Sequence, residues 1–376
     1  MTDRDYMLRA IELAKKGCGW VDPNPLVGAV IVKDGRIIGE GYHAKYGDLH
    51  AERNAIKNLT ESAEGATIYV TLEPCCHHGK QPPCTDALLE HKIARVVIGS
   101  RDPNPLVSGK GAAILRAAGV LVEEDFMREE CDALNDIFFH YITKKRPYVM
   151  LKYAMTADGK IATHTGASKW ITGTTARELV QEMRSKYFGI MVGIGTVLAD
   201  DPMLNCRLEG KRSPVRIICD SHLRIPLDCQ LVKTAKSYRT LIACCLNETE
   251  LKSNEKYDFL QNAGLELLSL PSCEGKVDLD ALMDRLGQMG INSILLEGGG
   301  GLNDSALQSG IVQEVSAFIA PKIFGGAGSK SPVEGKGISL PCEALPLSLY
   351  NTQMIGEDIL LQYKVKRRKS DVYRNC

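Results

Sequence analysis

The sequence predicts two α/β domains in tandem. Short apolar runs of strand length alternate with amphipathic helical stretches from end to end. One charged segment closed by a proline, Thr143-Lys144-Lys145-Arg146-Pro147, interrupts that alternation and reads as a linker. At roughly 150 residues per domain, 376 residues suffice for two separate cores. The expected divisions are 1–145 and 146–367, with 368–376 the frayed end of a basic tail that begins at Lys364.

In the first half, Tyr6, Met7, Ala10, Ile11 and Ala14 mark one face of a helix. Two strands follow at 27–32 and 37–41, joined by Lys33-Asp34-Gly35-Arg36, where Asp-Gly favours a tight hairpin. Then come a helix from His50 to about Leu59, a strand at 67–70, and a helix from about Cys84 to His91. A buried strand at 95–98, a helix at 111–118 and a strand at 120–122 complete about five strands with helices on both faces. The second half offers strands at 148–155, 189–193, 215–219, 240–245, 293–296 and 314–319, with helices at 175–186 and 279–289.

Forty-six Lys and Arg balance 46 Asp and Glu, so no basic face is available for a polyphosphate, and nucleic acid is not expected as a partner. No run of 18 apolar residues and no signal-peptide core is found, which points to a cytoplasmic protein with no membrane partner. Thirteen cysteines, an odd number scattered along a long chain, argue for metal binding or packing rather than a disulfide framework.

His50-Ala51-Glu52 opens a helix, and Glu73-Pro74-Cys75-Cys76 follows a strand, with Cys84 arriving after a polar excursion. One His and two Cys ligands leave a fourth tetrahedral position for water, as in catalytic zinc sites. His50, Cys75 and Cys84 are the expected ligands, and Glu52 the proton carrier. The arrangement resembles the pattern of zinc nucleobase deaminases. It departs in one respect: that pattern sets the second cysteine three after the first, where His78 stands here. Cys76 is the rival ligand, but its adjacency to Cys75 disfavours it and assigns it to packing.

Asp22-Pro23-Asn24-Pro25-Leu26-Val27 recurs 80 positions later as Asp102-Pro103-Asn104-Pro105-Leu106-Val107. Two prolines stiffen each loop, and each presents an Asn that either caps its own backbone or faces a ligand. In the second half, Ser293–Leu296 leads into Glu297-Gly298-Gly299-Gly300-Gly301, and Met191-Val192 leads into Gly193-Ile194-Gly195-Thr196. Strand-to-glycine turns of this kind let backbone amides approach a phosphate.

The segment 73–84, with Pro23-Asn24-Pro25 and His50-Ala51-Glu52, closely resembles the bifunctional deaminase-reductases of riboflavin biosynthesis, and the likeness runs through nearly the whole chain. It implies a cytidine deaminase-like α/β/α domain followed by a dihydrofolate reductase-like α/β domain. The expected activities are zinc-dependent deamination of a phosphoribosylated diaminopyrimidinone and NADPH-dependent reduction of the product's ribose. By matched position it places Asn24, His43, His77, Lys80, Asp102 and Asn104 on the deaminase substrate, with Lys80 on its phosphate.

In the second domain the resemblance puts the cofactor on Ala154, Trp170, Thr196, Asp200, Ser221 and the run Gly299, Gly300, Gly301, Leu302, Asn303, Asp304 and Ser305. It puts the substrate on Ser168, Arg184, Leu204, Arg207 and Glu297, the two arginine forks suiting a phosphate. Lys152, Asp200 and Glu297 remain equal candidates for orienting or protonating the opening sugar. The family also implies a homo-oligomer, a dimer or tetramer assembled through the reductase domain. A nucleoside or tRNA deaminase would need a basic groove, and a scaffold with structural zinc would have no use for Glu52.

Overall fold

The computed structural model describes residues 1–78 and 81–366. The chain divides into two compact units, residues 1–145 and 146–376.

The first unit opens with α1 (Asp3–Lys15), started by a capping box in which Thr2 and Asp5 satisfy each other's backbone amides. Tyr6, Met7, Ala10, Ile11 and Ala14 are all buried, as the spacing predicts. Strands β1 (Gly28–Lys33), β2 (Arg36–Tyr42), β3 (Thr67–Leu72), β4 (Arg95–Ser100) and β5 (Leu121–Glu123) form a sheet in the order β2-β1-β3-β4-β5. Asp34 and Gly35 both take positive φ and turn β1 into β2, with Lys33 opposite Arg36. Helices α2 (Ala51–Lys57), α3 (Cys84–Glu90), α4 (Lys110–Ala117), α5 (Arg128–Asp132) and α6 (Asp136–Lys144) complete the unit. Gly28 lets α1 press its Ala10 carbonyl onto β1, where any side chain would collide.

Strands β3, β4 and β5 run parallel, so their carboxyl ends open on one side, where ligands bind in open α/β sheets. The segments that follow β3 and β4 carry Glu73–Cys75 and Asp102–Asn104.

The second unit contains β6 (Tyr148–Thr156), α7 (Thr174–Lys186), β7 (Gly189–Gly193), α8 (Ile194–Asp200), β8 (Val215–Cys219), α9 (Gln230–Lys233) and β9 (Thr240–Cys244). There follow α10 (Glu248–Ser253), α11 (Tyr257–Asn262), β10 (Leu265–Ser269), the small hairpin β11 (Ser272–Cys273) and β12 (Lys276–Val277), and α12 (Leu279–Gln288). Next are β13 (Ser293–Leu296), α13 (Gly300–Gln308), β14 (Val312–Ala320), β15 (Leu347–Ile355) and β16 (Asp358–Val365). Among the described residues nine of these strands form one sheet in the order β10-β9-β8-β7-β13-β6-β14-β16-β15. The first seven are parallel and buried on both sides by apolar clusters; β16 and β15 join antiparallel at the edge.

Two sequence expectations need correction. The linker at 143–147 begins inside α6, whose apolar residues Phe138 and Ile142 line the cavity of the first unit. The basic tail cannot begin at Lys364, which lies in β16 with its Nζ 2.9 Å from the Tyr148 hydroxyl. Residues 368–376 lie outside the described residues. Strands β15 and β16 were not expected at all, because their apolar and polar residues are mixed rather than cleanly alternating.

Candidate active sites

The first site fills a cavity of about 330 Å³ at the carboxyl ends of β3 and β4. His50 sits at the N-cap of α2, Cys75 on the loop after β3, and Cys84 at the first turn of α3. The Cys75 and Cys84 sulfurs lie 3.4 and 3.5 Å from His50 Nδ1, and the three atoms all fall within 4.8 Å of one another. Tetrahedral zinc with Zn–S near 2.3 Å and Zn–N near 2.0 Å requires nitrogen-to-sulfur separations of about 3.5 Å, so this donor set fits the ion. Donation from Cys84, and then from His50, pulls the Cys75 thiol well below its usual range against the opposing effect of burial. Cys76 turns elsewhere, its sulfur 3.7 Å from the Leu106 carbonyl.

Glu52 is 3 % exposed, and burial pushes its carboxyl above the usual range. Both copies of the proline-asparagine loop line the same cavity, through Asn24 on one side and Asp102 and Asn104 on the other. Asn24 Nδ2 is 3.1 Å from His43 Nε2, and His43 Nδ1 is 3.1 Å from the Leu49 carbonyl. In the second copy the local reading also holds: Asp102 accepts from Asn104 N at 2.8 Å, and Asn104 from Leu106 N at 3.1 Å. His77 reaches the cavity with a buried Nδ1 that has no hydrogen-bond partner among the described residues. Lys80 lies outside the described residues.

Sequence reasoning passed over Glu73. Its buried carboxylate accepts from Gly109, Gly111 and Ala112 amides at 3.0 to 3.3 Å, tying the segment that carries Cys75 to the start of α4. An acidic residue ending an apolar strand was the available signal. Phe138, Tyr141 and Ile142 of α6, which wall the cavity, were hidden by the linker reading.

In the second unit, parallel neighbours β7 and β13 end in the two glycine turns. The turns face each other: a Cβ on Gly299 would lie 3.9 Å from Thr196 Oγ1. Among the described residues no side chain caps the start of α13, and Gly301 opens onto empty space, whereas Gly300 is packed against Glu334 and Ser331. Amides with no capping side chain, a helix N-terminus and room for a ligand fit the pyrophosphate of a dinucleotide. Within the matched run, Leu302 packs towards Gly298 and Asn303 is buried with its Nδ2 on the Pro332 carbonyl. Asp304 lies against Gly335, and Ser305 is half-buried. Ala154 is half-buried on β6, and Ser221 follows β8.

Lys152, Arg184 and Glu297 form one cluster. Arg184 grips Glu297 with two bonds of 2.8 and 3.0 Å, and Lys152 Nζ stands 3.7 Å from the same carboxylate. Burial opposes the charge on Glu297, but the Arg184 guanidinium and Lys152 ammonium outweigh it and hold the carboxyl at about 2. Burial pushes Lys152 below its usual range. Two earlier expectations change here. The Arg184 fork is closed on Glu297 rather than open to a phosphate, while Arg207 is exposed. Leu204 is 3 % exposed with its side chain in the core. Asp200 belongs to a separate group, accepting from Ser168 Oγ at 3.0 Å. Trp170 is exposed, with the Arg177 guanidinium 4.7 Å from its ring centre.

Residues 147–361 match the RibD C-terminal domain, and residues 1–100 the cytidine and deoxycytidylate deaminase zinc-binding region. The riboflavin biosynthesis protein RibD of Actinobacillus pleuropneumoniae is 58% identical over 365 residues, 97% of this chain and 96% of that protein. The chain belongs to the RibD family. The RibD of Escherichia coli is 38% identical over 374 residues, 96% of this chain and 99% of that one. Among solved structures, Acinetobacter baumannii RibD superposes with a TM-score of 0.86 at 35% identity, covering 97% of this chain and 99% of its own. The deaminase/reductase of Thermotoga maritima gives 0.85 at 40% identity, covering 96% and 98%.

Burial raises the Asp102 carboxyl to about 6. If Asp102 accepts a hydrogen bond from substrate as a carboxylate, deaminase KM rises as pH falls through about 6. Asp102→Asn should abolish that limb. A profile of KM against pH that keeps the limb in the variant would clear Asp102 of the role.

Proposed function

We propose that residues 1–145 convert 2,5-diamino-6-(5-phosphoribosylamino)pyrimidin-4-one to 5-amino-6-(5-phosphoribosylamino)uracil, and that residues 146–367 reduce that product's ribose to the ribityl chain. As a RibD-family member the chain is a bifunctional deaminase and reductase that uses zinc and NADPH. The observation that carries the reading is the zinc-spaced trio His50, Cys75 and Cys84 with buried Glu52 in one cavity.

Zinc, when bound, supplies a Lewis acid that makes water nucleophilic at neutral pH. Glu52 takes the proton from that nucleophile and returns it to the departing amine, a task suited to a carboxyl raised by burial. Asn24, His43, His77, Asp102 and Asn104 orient the pyrimidine and its ribose, and α6 keeps bulk water out. Lys80 and the phosphate belong together on charge alone.

NADPH, when bound, is the reductant of the second step. Its pyrophosphate is assigned to the turns at Thr196 and Gly299–Gly301, with Ala154, Trp170, Asp200, Ser221 and Ser305 around it. Glu297, held ionised, and Lys152, made a better proton donor by burial, face the opening sugar as one pair. Arg184 fixes that pair, and Ser168, the Leu204 backbone and Arg207 complete the substrate side, Arg207 meeting the phosphate.

The sheet edge at β15 exposes Leu347, Leu349, Tyr350 and Met354, which supports assembly through this unit as a dimer or tetramer. Buried Cys131, Cys206, Cys229 and Cys244 keep free thiols, which supports a reducing, cytoplasmic setting. No helix among the described residues is long and apolar enough to cross a membrane.

Purified protein given the diaminopyrimidinone phosphate should release ammonia without NADPH, and oxidise NADPH only after deamination. Chelation of zinc should stop ammonia release while leaving reduction of supplied intermediate largely intact. Loss of both activities on chelation, without unfolding, would sink the two-site reading.

A further inference from the structure

NADPH and NADH differ only by a phosphate on the 2′-hydroxyl of the adenosine ribose. A site that prefers NADPH therefore needs a cation or several donors at that position, away from the reacting ring. None of the residues assigned to the cofactor above is a cation.

Two of them are hydroxyls outside the glycine turns: Ser221 after β8 and Ser305 in the second turn of α13. The hairpin β11–β12 brings them together. Val277 N donates to Ser221 Oγ at 3.1 Å, and Lys276 Nζ is 3.5 Å from Ser305 Oγ. The register Ser272↔Val277 and Cys273↔Lys276, closed by Glu274 and Gly275 at positive φ, fixes where Lys276 emerges. Its side chain is exposed, and the contact it makes with Ser305 is to a neutral hydroxyl.

Two acidic neighbours make contacts of their own. Asp304, beside Ser305, lies against Gly335, and Asp278 is occupied capping α12 through the amides of Asp280 and Ala281. Arg224 is the other cation near Ser221, but it stands 3.9 Å from the fully buried carboxylate of Asp220, which offsets its charge.

We propose that Lys276, between Ser221 and Ser305, binds the 2′-phosphate and sets the preference for NADPH over NADH. The inference rests on the assignment of the cofactor to Ser221 and the 299–305 segment. An ammonium on a dianion makes a charge-assisted contact that NADH cannot use. The Ser221 hydroxyl donates to another phosphate oxygen, while Ser305, whose own proton goes to the Gly301 carbonyl at 3.0 Å, accepts from Lys276 and aims its ammonium.

The test is calorimetric titration of the full-length protein with NADPH, NADH and adenosine 2′,5′-bisphosphate. In Lys276→Gln the Kd for NADPH and for the bisphosphate should rise by roughly 10- to 100-fold. NADH affinity and thermal stability should stay near wild type, and Lys276→Arg should retain most of the preference. Gly301→Asp serves as the control, since it sets a carboxylate at the open mouth of α13 and should weaken NADPH and NADH alike. If Gly301→Asp changes neither, the cofactor lies elsewhere and the underlying assignment falls, and this inference with it. If Gly301→Asp weakens both while Lys276→Gln leaves the NADPH to NADH ratio unchanged, or Arg224→Gln abolishes that ratio instead, the role of Lys276 is overturned.

Discussion

Replacing Glu52 by Gln should leave zinc in place and cut ammonia release by roughly 10²–10⁴-fold. The amide keeps the size and hydrogen-bonding reach of the carboxylate but cannot carry a proton through the cycle. Zinc should stay because the trio that fits the ion, His50, Cys75 and Cys84, is untouched. Cys84→Ser supplies the contrast by losing metal and activity together, whereas Cys76→Ser should keep both, since its sulfur faces the Leu106 carbonyl. Metal analysis and an ammonia assay on the same preparations separate these outcomes. Near-normal ammonia release by Glu52→Gln would remove the carboxyl from the reaction, and zinc lost only in Cys76→Ser would replace Cys84 as ligand.

The zinc site was readable in the sequence because its parts are local. His50 and Glu52 are two residues apart at a helix start, and Cys75 and Cys84 flank one turn, so residue type and spacing nearly define the geometry. The parallel strands were readable for a related reason: buried on both faces, they leave apolar runs bounded by turns. What could not be read depends on distant pairing. Arg184 and Glu297 are 113 residues apart, and nothing local announces that one closes on the other. Taken alone, Arg184 reads as a solvated helix residue, and the family resemblance pointed its fork at a phosphate. The α6 wall failed differently: its basic end, Lys144-Lys145-Arg146, and the following proline are linker composition, and they outweighed the apolar run at 137–142. Hairpin β11–β12 is too short for any periodicity, so nothing in the sequence marks Lys276.

Glu297→Gln should destabilise the second unit by about 3–5 kcal/mol, because it strands two cations where there is little water to receive them. The side chains of Lys152, Arg184 and Glu297 are each only 12 to 13% exposed. With the carboxylate gone, Arg184 keeps its charge and one carbonyl, that of Asn205 at 3.3 Å. Lys152, already pushed down by burial, loses the partner that supported its proton. Hydrogen exchange at the β13–β6 pairs reads the free energy of this unit separately from the first. Adding Lys152→Met should recover part of the loss, because the double variant buries one unpaired charge fewer. The pH dependence carries the sign. Glu297 titrates at about 2 in the folded chain and near 4.3 when unfolded, so its contribution is fully present above about pH 5. As pH falls towards 2 the unfolded chain binds the proton first, and about 3 kcal/mol is lost. The stability difference between wild type and Glu297→Gln should therefore be flat from pH 5 to 7 and shrink towards pH 2. A difference below about 1 kcal/mol at pH 7, or one that grows on acidification, would mean that the cluster does not hold Glu297 as a buried anion.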